Sequence, residues 1–325
     1  MKTLFLTLTF LLSTLVGFSQ LQQKPNSPPK KTRILFLLDG SGSMNGDWQN
    51  EVRIDAAKVI LENLVDSLKT YEKLELALRV YGHQTHRDQK NCKDTKLETP
   101  FSPNNHQAIK DKLESISPKG VTPLAYSLEQ AANDFPVERN VRNIIIIITD
   151  GLESCDGDPC KVSLVLQRKN IFLKPFVIGI GIKKDYSKEF SCIGTFYNAS
   201  NANSFKLVLK KVISQALEKT EVRVDLMDAN GKALESNVNV SFENNITKKT
   251  EYNIVHYIGT NGKPDLLNID PVISYNIRVN TIPPVYKKNI FLEGGKLNVI
   301  EIDVPQGYLT VKQSGSQQHK GLNAL

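Results

Sequence analysis

Five consecutive residues, Asp39-Gly40-Ser41-Gly42-Ser43, put one carboxylate and two hydroxyls at alternate positions. Oxygen donors spaced this way suit a hard cation such as Mg2+. The two glycines let the backbone turn sharply and come close to whatever those oxygens hold. The same residue types also serve nucleophilic chemistry, but the surroundings argue against it. A G-x-S-x-G elbow needs glycine two residues before its serine, where Ser43 has Ser41, and no histidine is tied to either serine by sequence. An aspartyl-phosphate nucleophile at Asp39 calls for a second aspartate two residues on, and that position is again Ser41. No G-x-x-x-x-G-K-[ST] loop is present, so nucleotide binding of that type has no support.

The elements that must hold these oxygens read as alternating strands and helices. Ile34 to Leu38 is a short, continuous apolar run that ends at the glycines, the pattern of a fully buried strand. Glu51 to Leu68 has helical spacing, with Val52, Ala56, Val59, Ile60, Leu64 and Leu68 on one face. Leu74 to Tyr81 reads as a strand, His83 to Thr99 as a polar segment, and Gln107 to Ile116 as a short helix. Thr122 is placed as the N-cap of a helix with Pro123 in its first turn. Five consecutive isoleucines, Ile144 to Ile148, mark a strand buried on both faces, ending at Asp150 and Gly151. A helical stretch to Gln167, a strand over Phe172 to Ile182, a short helix over Tyr186 to Ile193 and a longer one over Phe205 to Leu217 follow.

This alternation predicts an α/β fold: a doubly wound, mostly parallel sheet with helices on both faces, Rossmann-like in layout. In such sheets ligands sit at the carboxyl ends of the strands. Asp39, Ser41 and Ser43 follow the first strand, Asp150 follows the isoleucine strand, and Thr122 opens a helix on the same edge. Beyond Thr220 the texture changes to strand-like runs punctuated by Asn, Gly and Pro, which predicts a small antiparallel all-β sandwich, Ig-like or transthyretin-like. The expected organisation is a signal peptide over residues 1–19, a linker over 20–31, the α/β domain over 32–219, the β-sandwich over 220–306 and an extra strand or tail over 307–325.

Lys2, the apolar run Leu4 to Val16 and the small residues before Gln20 are the parts of a secretory signal peptide. No later stretch is long and apolar enough to span a membrane, so the mature chain is expected to have no transmembrane segment. The chain is expected to be exported, to the periplasm or beyond the cell. Its four cysteines, Cys92, Cys155, Cys160 and Cys192, form an even set for which disulfides are the default in an oxidising compartment. A zinc site is the alternative, weakened by the lack of a C-x-x-C pair. The net charge of +7 is spread along the chain without aromatic interleaving, so no nucleic-acid partner is expected. His83 and His86 read as a solvated loop, Asp156 and Asp158 as a turn, and Trp48 as a packing residue.

D-G-S-G-S after a buried first strand, K-G-V-T-P-L before a helix and I-I-I-T-D-G after a central strand, in that order, resemble the von Willebrand factor type A domain and its metal-ion-dependent adhesion site. The resemblance spans Thr32 to Lys219, and the segments N-C-K-D, E-S-C-D-G-D-P-C and S-C-I-G are similar to a bacterial, exported branch of these domains. It implies that Ser41 and Ser43 bind the metal through their hydroxyls and that Thr122 does so directly or through water. It implies that Asp39 and Asp150 hold the ion through waters and orient the serines. Mg2+ is the implied ion, with Ca2+ or Mn2+ as alternatives. Neutral hydroxyls leave such an ion electrophilic, able to accept an Asp or Glu carboxylate from a protein or peptide partner. All four cysteines follow strands on that edge, and of their three possible pairings Cys155–Cys160, as a local loop staple, with Cys92–Cys192 is the expected one. The expected function is a metal-dependent binding or adhesion module and not an enzyme. The alternatives are an envelope protein whose metal only stabilises the fold, or a non-catalytic regulatory subunit of an envelope complex.

Overall fold

The computed structural model describes residues 31–138, 141–169, 171–173, 177–180, 187–193 and 196–304. The expected signal peptide, nearly all of the linker and the strand or tail over 307–325 lie outside the described residues.

The first half runs β1 (Lys31–Asp39), a two-residue ribbon of β2 (Asp47–Trp48) and β3 (Glu51–Val52), α1 (Arg53–Ser67), β4 (Leu74–Tyr81), β5 (Thr95–Ser102), α2 (His106–Ser115), α3 (Leu124–Asp134) and β6 (Val141–Thr149). It continues with α4 (Pro159–Arg168), β7 (Ile171–Leu173), β8 (Val177–Ile180), α5 (Ser187–Phe190), β9 (Phe196–Ala199) and α6 (Ala202–Leu217). The strands form one sheet in the order β5-β4-β1-β6-β8-β9, with β7 also beside β6. Every pairing is parallel except β4 with β5. β1 lies between β4 and β6, in register so that Leu38 faces both Val80 and Ile148. Asp39 and Asp150 therefore leave neighbouring strands at the same edge.

The isoleucine run explains why the sheet is covered twice. Ile144, Ile146 and Ile148 join Ile34, Phe36 and Leu38 against Ile54, Leu61 and Val65 of α1, Ile109 and Leu113 of α2, and Phe205 and Leu209 of α6. Ile145 and Ile147 point to the other face, with Leu35 and Leu37, against Leu124, Leu128 and Ala131 of α3 and Leu166 of α4. Side chains alternate across a strand, so a strand buried on both sides must be apolar throughout.

Several details depart from the expectations. In α1 Ile54, Ala56, Ala57, Leu61 and Val65 are buried, and Ile60, Leu64 and the preceding Val52 are half-buried against the same core, while Val59, expected on that face, is 56% exposed. β5 lies within and beyond the segment read as polar, because an antiparallel edge strand needs only occasional apolar residues. Thr122 does not cap α3: the N-cap is Pro123, and the Glu153 carboxylate reaches back to the Ala125 N–H from the loop after β6. His83 is buried and pairs with Glu98, so only His86 of that pair lies in an exposed loop.

The second half contains β10 (Glu221–Met227), β11 (Val238–Asn244), β12 (Thr250–His256), β13 (Leu267–Asn268), β14 (Tyr275–Val279), β15 (Val285–Ile290) and β16 (Leu297–Asp303). They build a β13-β10-β16 sheet and a β12-β11-β14-β15 sheet around a core that includes Val222, Phe242, Tyr275 and Ile302. The sandwich is not purely antiparallel, because β10 and β16 pair in parallel. At the junction of the halves, buried Arg142 at the start of β6 donates to the Ala216 carbonyl of α6 and lies 2.9 Å from Asp270. Its Nε–H forms no hydrogen bond, so that contact is an ion pair alone. Gly294 is pressed onto α6 so closely that a Cβ would sit 2.3 Å from the Gln215 Cα.

Candidate functional site

Asp39 ends β1 fully buried. Its Oδ1 accepts the Ser41 N–H at 2.8 Å and its Oδ2 accepts the Thr149 hydroxyl at 2.6 Å. Burial, and then the nearby Asp150 charge, push its carboxyl up to about 6 against the pull of those hydrogen bonds. A buried carboxylate at this price in desolvation is retained where a positive charge is to be attracted or a loop fixed.

The Ser43 hydroxyl donates to Asp150 Oδ1 at 2.8 Å, and Ser41 Oγ lies 2.9 Å from Ser43 Oγ. Since Ser43 spends its proton on Asp150, Ser41 is the donor of the pair. The Ser43 proton is thus spent on Asp150 and the Ser41 proton on Ser43, and the lone pairs that remain are available to a cation. Arg53, the first residue of α1, donates from Nη1 to Asp150 Oδ2 at 2.7 Å and to the Ser43 carbonyl at 3.1 Å.

Thr122 is brought alongside by backbone bonds. Gly42 N–H donates to the Gly120 carbonyl at 2.9 Å and Lys119 N–H to the Gly40 carbonyl at 3.0 Å. Gly120 N–H in turn donates to the Gly82 carbonyl at 2.7 Å. The Thr122 N–H donates to Ser154 Oγ at 2.8 Å and its carbonyl accepts the Ser154 N–H at 3.1 Å. These approaches need glycine at two places. A Cβ at Gly40 would sit 2.8 Å from the His83 Cβ, and Gly82, at φ +68°, would place one 2.4 Å from the Val121 carbonyl oxygen.

Ser41, Ser43, Thr122 and Ser154 share a cavity of about 430 Å³ with Arg87 and Lys90. Its donors are hydroxyls: among the described residues no cluster of three or more His, Cys, Asp or Glu is arranged for a metal. Two ligands at adjacent corners of an octahedron about 2.1 Å from Mg2+ stand about 3.0 Å apart, against about 3.4 Å around Ca2+. The 2.9 Å between the serine hydroxyls, their mutual hydrogen-bond distance, is compatible with both oxygens holding one cation. The donor set therefore fits the implied metal, with Ser41, Ser43 and Thr122 as candidate holders and Asp39 and Asp150 behind them.

The cysteines pair as Cys92–Cys155 and Cys160–Cys192, not as Cys155–Cys160 and Cys92–Cys192. Asp156 takes a left-handed turn at φ 58°, and Asp158 caps α4 by accepting the Lys161 N–H. That turn carries Cys160 into the first turn of the helix, while Cys155 stays at the cavity rim with Cys92. With all four cysteines in disulfides, the zinc alternative has no thiolates to use. Sequence reasoning missed Thr149, Glu153, Ser154 and Arg53. Arg53 left a signal: a cation in the first helical turn opposes the helix dipole and needs an anion nearby.

A profile described as von Willebrand factor type A domain matches residues 34–215. The chain is 27% identical over 190 residues to the uncharacterized protein YwmD of Bacillus subtilis (strain 168), covering 55% of this chain and 84% of that protein. It is 28% identical over 165 residues to YwmC of the same organism, covering 49% of this chain and 71% of that protein. Among solved structures, conserved hypothetical protein BatB from Bacteroides thetaiotaomicron is similar at a TM-score of 0.46 and 21% sequence identity, covering 57% of this chain and 98% of that one.

Proposed function

This chain belongs to the von Willebrand factor type A domain family, and we propose that it is an exported, non-catalytic binding module whose metal-ion-dependent adhesion site takes a divalent cation, Mg2+ first, and through it a carboxylate of a protein partner. The observation that supports this reading is the pair of serine hydroxyls 2.9 Å apart, Ser43 donating to Asp150 and Ser41 to Ser43, lining a cavity they share with Thr122. Ser41, Ser43 and Thr122 would hold the ion, and Asp39 and Asp150 would orient them. The bound cation would supply a strong, directional point of attraction for an anionic oxygen. The two disulfides support folding in an oxidising compartment, and no helix among the described residues is long and apolar enough to cross a membrane.

The competing reading, in which the ion only stabilises the fold, is disfavoured by Arg53. Asp150 already has a cation of the chain's own at 2.7 Å, so the carboxylate is neutralised without metal. The discriminating experiment is a pull-down from envelope and culture fractions in Mg2+, in EDTA, and with Asp39→Ala in Mg2+. A partner retained only by the wild-type protein in Mg2+ is expected. Capture of the same proteins in all three conditions would refute the metal-dependent reading.

A further inference from the structure

The cavity at the serines carries charge that the metal reading does not use. Arg87 and Lys90 line it together with Ser41, Ser43 and Thr122, and the one acidic residue among its lining is Asp156. Both basic residues are exposed, and among the described residues neither head group has a carboxylate partner. The nearest acid in sequence, Asp88, is taken by His86 at 3.0 Å.

The segment that displays them is built to hold still. Asp94, buried beneath it, accepts the Gln84 N–H at 3.0 Å, the Thr85 N–H at 2.8 Å, the Thr85 hydroxyl at 2.8 Å and the Gln84 side-chain amide at 3.0 Å. Cys92 ties its far end to Cys155, across the cavity rim. Arg87 opens a single 3-10 turn, and Lys90 closes it in the left-handed region at φ 45°, donating its N–H to the Arg87 carbonyl at 3.0 Å. This internal bonding fixes the backbone from which the two basic side chains extend, which lowers the entropy lost in ordering the segment on binding.

We propose that this wall makes the site selective for an acidic, extended peptide segment of the partner: one carboxylate addresses the cation site, and a second, two residues away, is received by Arg87 and Lys90. The inference rests on the carboxylate-binding reading above and adds to it the chemistry of the segment bound. In an extended chain, side chains two residues apart lie on the same face about 6.6 Å apart. The serines, Thr122, Arg87 and Lys90 line one cavity of about 430 Å³, so both carboxylates would be received in the same space. The two cations outnumber the lone Asp156, so the wall attracts a second acid and disfavours a basic neighbour.

The test uses the full chain and two fluorescent peptides of equal length, made of glycine and serine with either one aspartate or two aspartates two positions apart. Binding is read by anisotropy in Mg2+ and in EDTA, for the wild type, Arg87→Gln/Lys90→Gln, and Lys263→Gln, which removes a charge from the β-sandwich. The wild type in Mg2+ is expected to prefer the two-aspartate peptide by about tenfold, Arg87→Gln/Lys90→Gln to lose that preference, and Lys263→Gln to keep it. Equal affinity of the wild type for both peptides, or an undiminished preference in the double variant, overturns the inference; Mg2+-dependent binding of the one-aspartate peptide would then leave the cation reading standing. A preference that persists in EDTA and disappears in the double variant supports the basic wall and counts against capture on the cation. Binding of neither peptide overturns both.

Discussion

At the residue scale, the site is an exercise in charge placement. Asp39 is fully buried, with both oxygens occupied by protein donors, so it would act on a bound ion through position and field instead of direct contact. Asp150 has a fully buried side chain shared between Ser43 and Arg53, whose own side chain is 22% exposed. Breaking a buried pair from one side leaves an uncompensated charge at about 3–5 kcal/mol, and the partial exposure of Arg53 reduces that. Arg53→Gln is therefore expected to lower stability in EDTA by about 2 kcal/mol, and added Mg2+ is expected to restore more of the melting temperature in the variant than in the wild type. A variant that melts like the wild type in EDTA would show that Arg53 does not neutralise Asp150.

At the element scale, the site exists because three loops are zipped together at one sheet edge. The strands that carry Asp39 and Asp150 were legible in the sequence, since Ile34–Leu38 and Ile144–Ile148 are apolar throughout and only doubly covered strands tolerate that. The edge strand β5 and the short β9 were not, because β5 is mostly polar, burying even Thr99 and the Glu98 side chain, and β9 has only four residues, so both look like loop. The disulfide pairing was illegible for a different reason. It depends on the left-handed turn at Asp156 and the cap at Asp158, which send Cys155 and Cys160 apart, and spacing alone favours the adjacent pair. Arg53 and Thr149 were missed because their role lies in contacts across 97 and 110 residues of chain. Cys92–Cys155 closes a sequence separation of 63 residues, worth about 4 kcal/mol by loop entropy. Cys92→Ser/Cys155→Ser is expected to lose about 2–4 kcal/mol in urea unfolding. A loss below about 1 kcal/mol would mean that the bonding around Asp94 already fixes that loop without the bridge.

At the scale of the whole molecule, the two halves are clamped by buried charge. Arg142 links β6, the strand that delivers Asp150, to the end of α6 and to Asp270 of the β-sandwich. Gly294 and Gly295 press against α6 and Thr220 at the same junction. Arg142→Leu is expected to cost about 3 kcal/mol and to split a single calorimetric unfolding transition into two. Retention of one transition at the wild-type temperature would show that the clamp is dispensable.

The claim on which these predictions converge is that Ser41, Ser43 and Thr122 form a divalent-cation site. Calorimetric titration of Mg2+ into the EDTA-stripped protein tests it directly, with Thr122→Ala and Asp39→Ala run alongside and their folds checked by circular dichroism. The wild type is expected to bind one ion per chain, and both variants to stay folded and lose that binding. Unchanged Mg2+ affinity in both folded variants, or no heat of binding in the wild type, would contradict it.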